Sequence, residues 1–186
     1  MISTAGITKS VAARTWPTWQ PGPRSGALVT KAISASVTKA PLRGPGCHVG
    51  QVLAATDFVI PAVEIIDSRY ENFRFDLPSV VADNASSSRF VTGGGMLSPW
   101  ETDLRTVGVV LEKNGDPVEV GAGAAVINHP ASSVALLANM LAQRDEEIPA
   151  GSLILSGGIT AAVAVEAGDN VTMRAQGMGS VSMRFV

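Results

Sequence analysis

Residues 59–70 read VIPAVEIIDSRY, and after a short gap residues 80–87 read VVADNASS. The first run decides the fold. Its Val- and Ile-rich composition, bounded by polar residues, predicts a buried strand over 58–66. Glu64 stands inside that strand between Val63 and Ile65. Burying an unpaired carboxylate is costly, so a cation or hydrogen-bond donors must meet it. On a strand, Glu64 and Ile66 share one face while Asp67 and Arg69 share the other. Asp67 and Arg69 read as an ion pair at the strand end, and Glu64 as the candidate ligand of a hard metal ion. One carboxylate does not make such a site, because Mg²⁺ takes octahedral oxygen ligation from several groups.

The second run offers Asp83, Asn84, Ser86 and Ser87 in succession. Two readings stay open: a helix C-terminal cap followed by a polar turn, or a cradle for a substrate carboxylate made of backbone N–H groups and Ser86. Ser156-Gly157-Gly158 is equally double, a tight turn or a backbone approach to an oxyanion. His129, just before a predicted helix, is expected to make a structural hydrogen bond. No G-x-S-x-G elbow accompanies these serines.

Outward from this centre, residues 49–55 are predicted as a short helix and 77–85 as another, with a strand over 89–92. Asn114-Gly115 between 104–113 and 117–120 signals a hairpin, since a type I′ turn wants positive φ at both central positions. Pro130 suits a first helical position, and Val134, Leu137, Ala138 and Leu141 recur at helical spacing, predicting an amphipathic helix over 131–144. Glycine-punctuated strands follow at 153–155, 161–165, 170–175 and 180–185. From residue 1 to about 46 no period of 2 or 3.6 is sustained, and no packed face is expected there.

The 186 residues suffice for one domain with a real core, and 46% hydrophobic with 16% charged is an ordinary globular composition. A single cysteine, Cys47, excludes a disulfide framework and a paired-cysteine zinc site, and fits a reducing cytoplasm. No uninterrupted apolar run approaches the roughly 20 residues of a membrane span, so no membrane partner is expected. The net charge of −2 is unevenly spread: no acid precedes Asp57, while Lys9, Arg14, Arg24, Lys31, Lys39 and Arg43 all do. These cations are scattered among Pro, Gly and Ser, unlike the clustered charge of a nucleic-acid arm. No nucleic-acid partner is expected.

The block PAVEIIDSR (61–69) with VADNAS (81–86) resembles the hydratase/decarboxylase branch of the fumarylacetoacetate hydrolase superfamily. GAGAAV at 121–126, His129-Pro130, Leu137-Ala-Asn, Pro149-Ala-Gly and Gly168-Asp169 extend the likeness, which covers residues 37–186. Within the branch, residues 37–77 and ITAAVAVEAGDN (159–170) look most like the decarboxylases of 2-oxo-hex-3-enedioate in meta-cleavage aromatic degradation. The resemblance implies an α+β fold, a mixed β-sandwich roll with one packed amphipathic helix. It also implies a Mg²⁺ or Mn²⁺ site with Glu64 as a ligand, and a 2-oxo dicarboxylate substrate held by Asn84, Ser86 and Ser87 with Ser156 and Gly157 lining the site. The implied reaction is decarboxylation to 2-hydroxypenta-2,4-dienoate. The alternatives are the sister hydratase or a non-catalytic subunit, in a homo-oligomer or a complex with the hydratase.

One departure stands out. The family pattern carries an E-x-E strand just before the matching block, and a lysine and an aspartate further upstream. Here that strand reads KAISASVTKA, and no acid precedes it. Residues 1–36 are therefore expected to be an atypical, disordered or out-of-frame segment and residues 37–186 the catalytic core. The catalytic residues are left unassigned, and metal binding is expected to be weakened.

Overall fold

A computed structural model describes residues 28–70 and 74–186. Two antiparallel sheets pack face to face. The first sheet contains β1 (Leu28–Thr38), β2 (Thr56–Asp67), β3 (Ser87–Thr92), β6 (Leu153–Gly158) and β7 (Val163–Val165). Its order is β3-β2-β1-β6, with β7 pairing the start of β1. The second sheet contains β4 (Gly108–Lys113), β5 (Asp116–Ala122), β8 (Asn170–Ala175) and β9 (Gly179–Arg184), in the order β5-β4-β8-β9. Helix α1 (Val49–Ala55) leads into β2, α2 (Leu77–Ala82) leads towards β3, and α3 (Pro130–Leu141) precedes β6.

Alternation along β2 explains the layering. Val59 and Val63 point one way, into a core shared with Val109, Leu111, Val171, Met173 and Val181 of the facing sheet. Ala62 points the other way, against Ala35, and by alternation Glu64 lies on that second face. A separate apolar cluster joins Val52 of α1 to Val134 and Ala138 of α3 and to Ile154 of β6. The stretch Gly123–Arg144 is long and apolar enough on average to cross a membrane. Its α-helical part is only α3, which buries Val134 and Ala138 in this cluster. In the β4–β5 hairpin, Asn114 (φ 56°) and Gly115 (φ 93°) both adopt the left-handed conformation expected of their turn.

The predicted helix over 49–55 and strand over 170–175 coincide with α1 and β8, and β2 extends the predicted strand by two residues before it and one after. The expectation of no packed face before residue 46 is corrected for residues 28–38, which form the central strand β1. Residues 1–27 lie outside those described. The strand runs through the 36/37 boundary drawn from the sequence. It is hard to read because, among the positions whose burial is described, Thr30, Ser34, Ser36 and Thr38 are buried polar residues. Thr38 Oγ1 donates to the Pro149 carbonyl at 2.8 Å and Ser34 Oγ meets Ser156 Oγ at 2.8 Å. Thr30 Oγ1 finds no hydrogen-bond partner among the described residues.

Candidate active site

Glu64 sits near the C-terminal end of β2, directly opposite Lys31 of β1 in the antiparallel register. Opposed residues share a face, so the two side chains meet: Lys31 Nζ lies 3.1 Å from Glu64 Oε2. Ser87, at the start of β3, donates its hydroxyl to Glu64 Oε1 at 3.1 Å. The Glu64 side chain is 12% exposed and that of Lys31 26%. The cation that the sequence required beside Glu64 is therefore the ammonium of Lys31. The stem of Lys31 crosses Gly158 of β6, where a Cβ would lie only 2.9 Å from Lys31 Cδ. A glycine there leaves the stem its path to Glu64.

The loop that delivers Ser87 is built with unusual backbone. Asp76 caps α2 by accepting from Ser79 N at 2.8 Å. After Asp83, Asn84, Ala85 and Ser86 have φ of 51°, 55° and 56°, three consecutive left-handed residues without a glycine, each of them uphill. Asp83 holds the loop. Its Oδ2 accepts from Ser86 Oγ at 2.8 Å and its Oδ1 meets Arg69 Nη1 at 2.6 Å. Arg69 thus pairs with Asp83, tying the end of β2 to the loop.

Ser156 and Gly157 lie on β6, whose pairing with β1 includes Ile33↔Gly158 and Ala35↔Leu155. Ser156 is buried, and its hydroxyl lies 3.1 Å from the Ser34 carbonyl as well as 2.8 Å from Ser34 Oγ. Ser133 of α3 places its hydroxyl 2.6 Å from the Ser156 carbonyl. These three serines lace α3, β6 and β1 together. Ser34, three residues from Lys31 on an unbroken strand, faces the side opposite the Lys31–Glu64 pair. The structure therefore gathers Glu64 and Ser87 with Lys31, sets Asn84 and Ser86 in the adjoining loop, and engages the Ser156 hydroxyl beneath the sheet. Gly157 adopts φ 113° at the bend of β6. His129 does cap α3: its Nδ1 accepts from Ala131 N at 2.9 Å, and burial pushes its pKa below the ordinary value of 6.5.

In the sequence Lys31 is one of six cations scattered before residue 57, with nothing in its neighbours to set it apart. Its position within the stretch that replaces E-x-E was the available signal.

No family model matches the chain. It is 73% identical over 150 residues to 4-oxalocrotonate decarboxylase of Pseudomonas sp. strain CF600, covering 81% of this chain and 57% of that protein. It is 41% identical over 158 residues to 2-oxo-hept-4-ene-1,7-dioate hydratase of Escherichia coli, covering 82% of this chain and 59% of that protein. A solved structure of 4-oxalocrotonate decarboxylase from Pseudomonas putida G7, complexed with magnesium and adipate, superimposes with a TM-score of 0.83 and 67% identity. That match covers 86% of this chain and 61% of the other. Fold and sequence together define a protein of the hydratase/decarboxylase branch of the fumarylacetoacetate hydrolase superfamily. Over the stretch they share, the chain resembles these 4-oxalocrotonate decarboxylases more closely than it does the hydratase. It spans about three-fifths of the length of the relatives it matches.

The magnesium of that relative invites a test of fit here. Among the described residues no three His, Cys, Asp or Glu side chains gather; of the residues outside the description, Glu71 alone is of these types. Glu64 is already engaged by an ammonium and a hydroxyl. A hard divalent cation wants several oxygen ligands and repels an ammonium. The described residues do not fit a magnesium ion.

Proposed function

We propose that this chain is a decarboxylase-type protein acting on 2-oxo-hex-3-enedioate, with activity impaired relative to a protein carrying the full carboxylate set. In the reaction the C5–C6 bond breaks and CO₂ leaves. The electron pair moves through C4 and C3 to the C2 oxygen, which takes a proton, giving 2-hydroxypenta-2,4-dienoate. The observation that carries this is the identity gap: 73% to a 4-oxalocrotonate decarboxylase against 41% to a hydratase. The substrate-holding groups in this reading are Asn84, Ser86 and Ser87 of the loop, with Gly157 of β6 lining the site, in a protein of the cytoplasm; the Ser156 hydroxyl, bonded to Ser34 on the other face of the sheet, is not among them. The test is loss of 2-oxo-hex-3-enedioate absorbance with the purified chain, with CO₂ and the dienoate identified as products. Hydration of 2-hydroxypenta-2,4-dienoate without CO₂ release would move the assignment to the hydratase.

A second reading is favoured by the Lys31 ammonium already paired with Glu64: a non-catalytic subunit that associates with a hydratase of the same branch or with its own copies. Co-purification with the hydratase by a folded chain that turns over neither substrate supports it. A chain that runs as a monomer in the hydratase's presence refutes it.

A further inference from the structure

The described residues place one cation at Glu64, and it is covalently part of the chain. We propose that the Lys31 ammonium substitutes for a divalent metal at this site, so that the site takes the 2-oxo carboxylate end of a ligand directly and without a metal ion. The inference rests on the proposed substrate class for the identity of the ligand, and on geometry for the rest.

Three observations support it. Lys31 and Glu64 are register partners on adjacent strands, so their meeting is set by the sheet and not by a chance surface rotamer. Glu64 spends one oxygen on Lys31 and the other on Ser87. This neutralises the carboxylate without the several oxygen ligands that Mg²⁺ requires. The ammonium carries three donors, of which Glu64 takes one, and its side chain remains 26% exposed. Among the described residues Glu64 is the acceptor paired with this ammonium, and charge-assisted hydrogen bonds from its other donors to the carboxylate of an anion arriving from solvent are the strong kind.

A metal site and an ammonium site respond oppositely to chelation and to mutation. Oxalate serves as the probe, a small dianion that mimics the 2-oxo acid end and cannot be decarboxylated. Calorimetric titration of the full chain with oxalate in EDTA-treated buffer is expected to show binding. Lys31→Arg should keep that binding, and the charge-neutral pair variant Lys31→Met/Glu64→Gln should weaken it about tenfold or more. The pair variant leaves no orphaned charge, and its circular dichroism and urea melt establish that it folds. In parallel, Mn²⁺ followed by electron paramagnetic resonance should remain free with the wild-type chain. Lys31→Glu, which sets two carboxylates opposite each other, should bind it.

Oxalate binding that appears only when Mn²⁺ is added overturns the proposal, as does no oxalate binding under either condition. Equal binding by wild type and the folded pair variant also overturns it. Failure of the decarboxylase assignment is separable. Lys31-dependent oxalate binding without turnover of 2-oxo-hex-3-enedioate sinks the activity and leaves the substitution standing. Turnover strictly dependent on added Mg²⁺ does the reverse.

Discussion

Replacing Lys31 by Met removes the ammonium that meets Glu64 and keeps an apolar stem to lie across Gly158. Its cost follows from how far the pair is withdrawn from water. A hydrogen bond to a charged group contributes about 1.5–3 kcal/mol, and a fully exposed ion pair about 0.2–1 kcal/mol. Lys31 is a quarter exposed and Glu64 an eighth, so the coupling between them falls between these limits, at about 1–2 kcal/mol. Lys31→Met alone should cost more than the coupling, about 2 kcal/mol, because it strands a largely buried carboxylate with the Ser87 hydroxyl for company. For a chain of this size that is a fall in Tm of about 4–8 °C. Glu64→Gln in the same background should recover much of the loss, since the amide carries no charge to desolvate. The order of stability is therefore wild type, then the double variant, then Lys31→Met. Urea denaturation of all four corners of the cycle, read by circular dichroism, gives the coupling directly. Additive single effects, with a coupling below about 0.3 kcal/mol, would show that the two side chains do not act as a pair.

Other positions yield independent expectations. Asn139 joins α3 to the loop before α1, accepting from Cys47 N at 2.8 Å and donating to the Cys47 carbonyl at 2.9 Å; Asn139→Ala should lower stability by about 1–3 kcal/mol in a urea melt. The Asp169 carboxyl is held down at about 2, chiefly by its hydrogen bond from Lys113, then by those from Asn114 and Glu166 N. Its stabilising contribution is complete above the unfolded value of 3.8 and disappears as pH falls towards 2. The stability difference between wild type and Asp169→Asn should shrink across that acid window. The His129 pKa is lowered by burial, so the unfolded chain takes up a proton at higher pH than the folded one and stability declines as pH falls below 6.5. His129→Asn, an N-cap that does not titrate, should flatten that decline. Gly158→Ala brings a Cβ to 2.9 Å from Lys31 Cδ; the Lys31–Glu64 coupling measured in that background should fall.

Legibility in the sequence tracked the kind of signal each element carried. β2 was readable because branched aliphatic residues filled its buried positions, and the hairpin at Asn114-Gly115 because only certain residues accept two successive positive φ angles. α3 was readable from Pro130 and the helical spacing of Val134 and Ala138. β1 was not, since Thr30, Ser34, Ser36 and Thr38 are polar residues buried by their neighbours and not by their own hydrophobicity. The run of left-handed residues from Asn84 to Ser86 was equally hidden. Asn84 tolerates that conformation locally, but Ala85 and Ser86 adopt it while Asp83 is anchored by Arg69, a contact between residues fourteen apart in sequence. At the site, Glu64 announced itself as a charge among apolar neighbours. Lys31 did not, because its meaning depends on a cross-strand register that no single strand encodes.

That register separates two demands usually satisfied together. Folding requires only that Glu64 not be buried alone, and any cation brought opposite it by β1 meets this demand. Metal chemistry requires more: several oxygen ligands converging from different strands, with no competing positive charge among them. Lys31 fulfils the first demand and defeats the second, in one side chain and without disturbing a backbone hydrogen bond of the sheet. An intact sandwich with Glu64 in its expected place is therefore no evidence of a divalent cation in this chain. The side chain at position 31 decides whether the charge at Glu64 is balanced from within the chain or from solution. For that reason, Lys31→Glu is expected to convert one kind of site into the other while the fold stays the same.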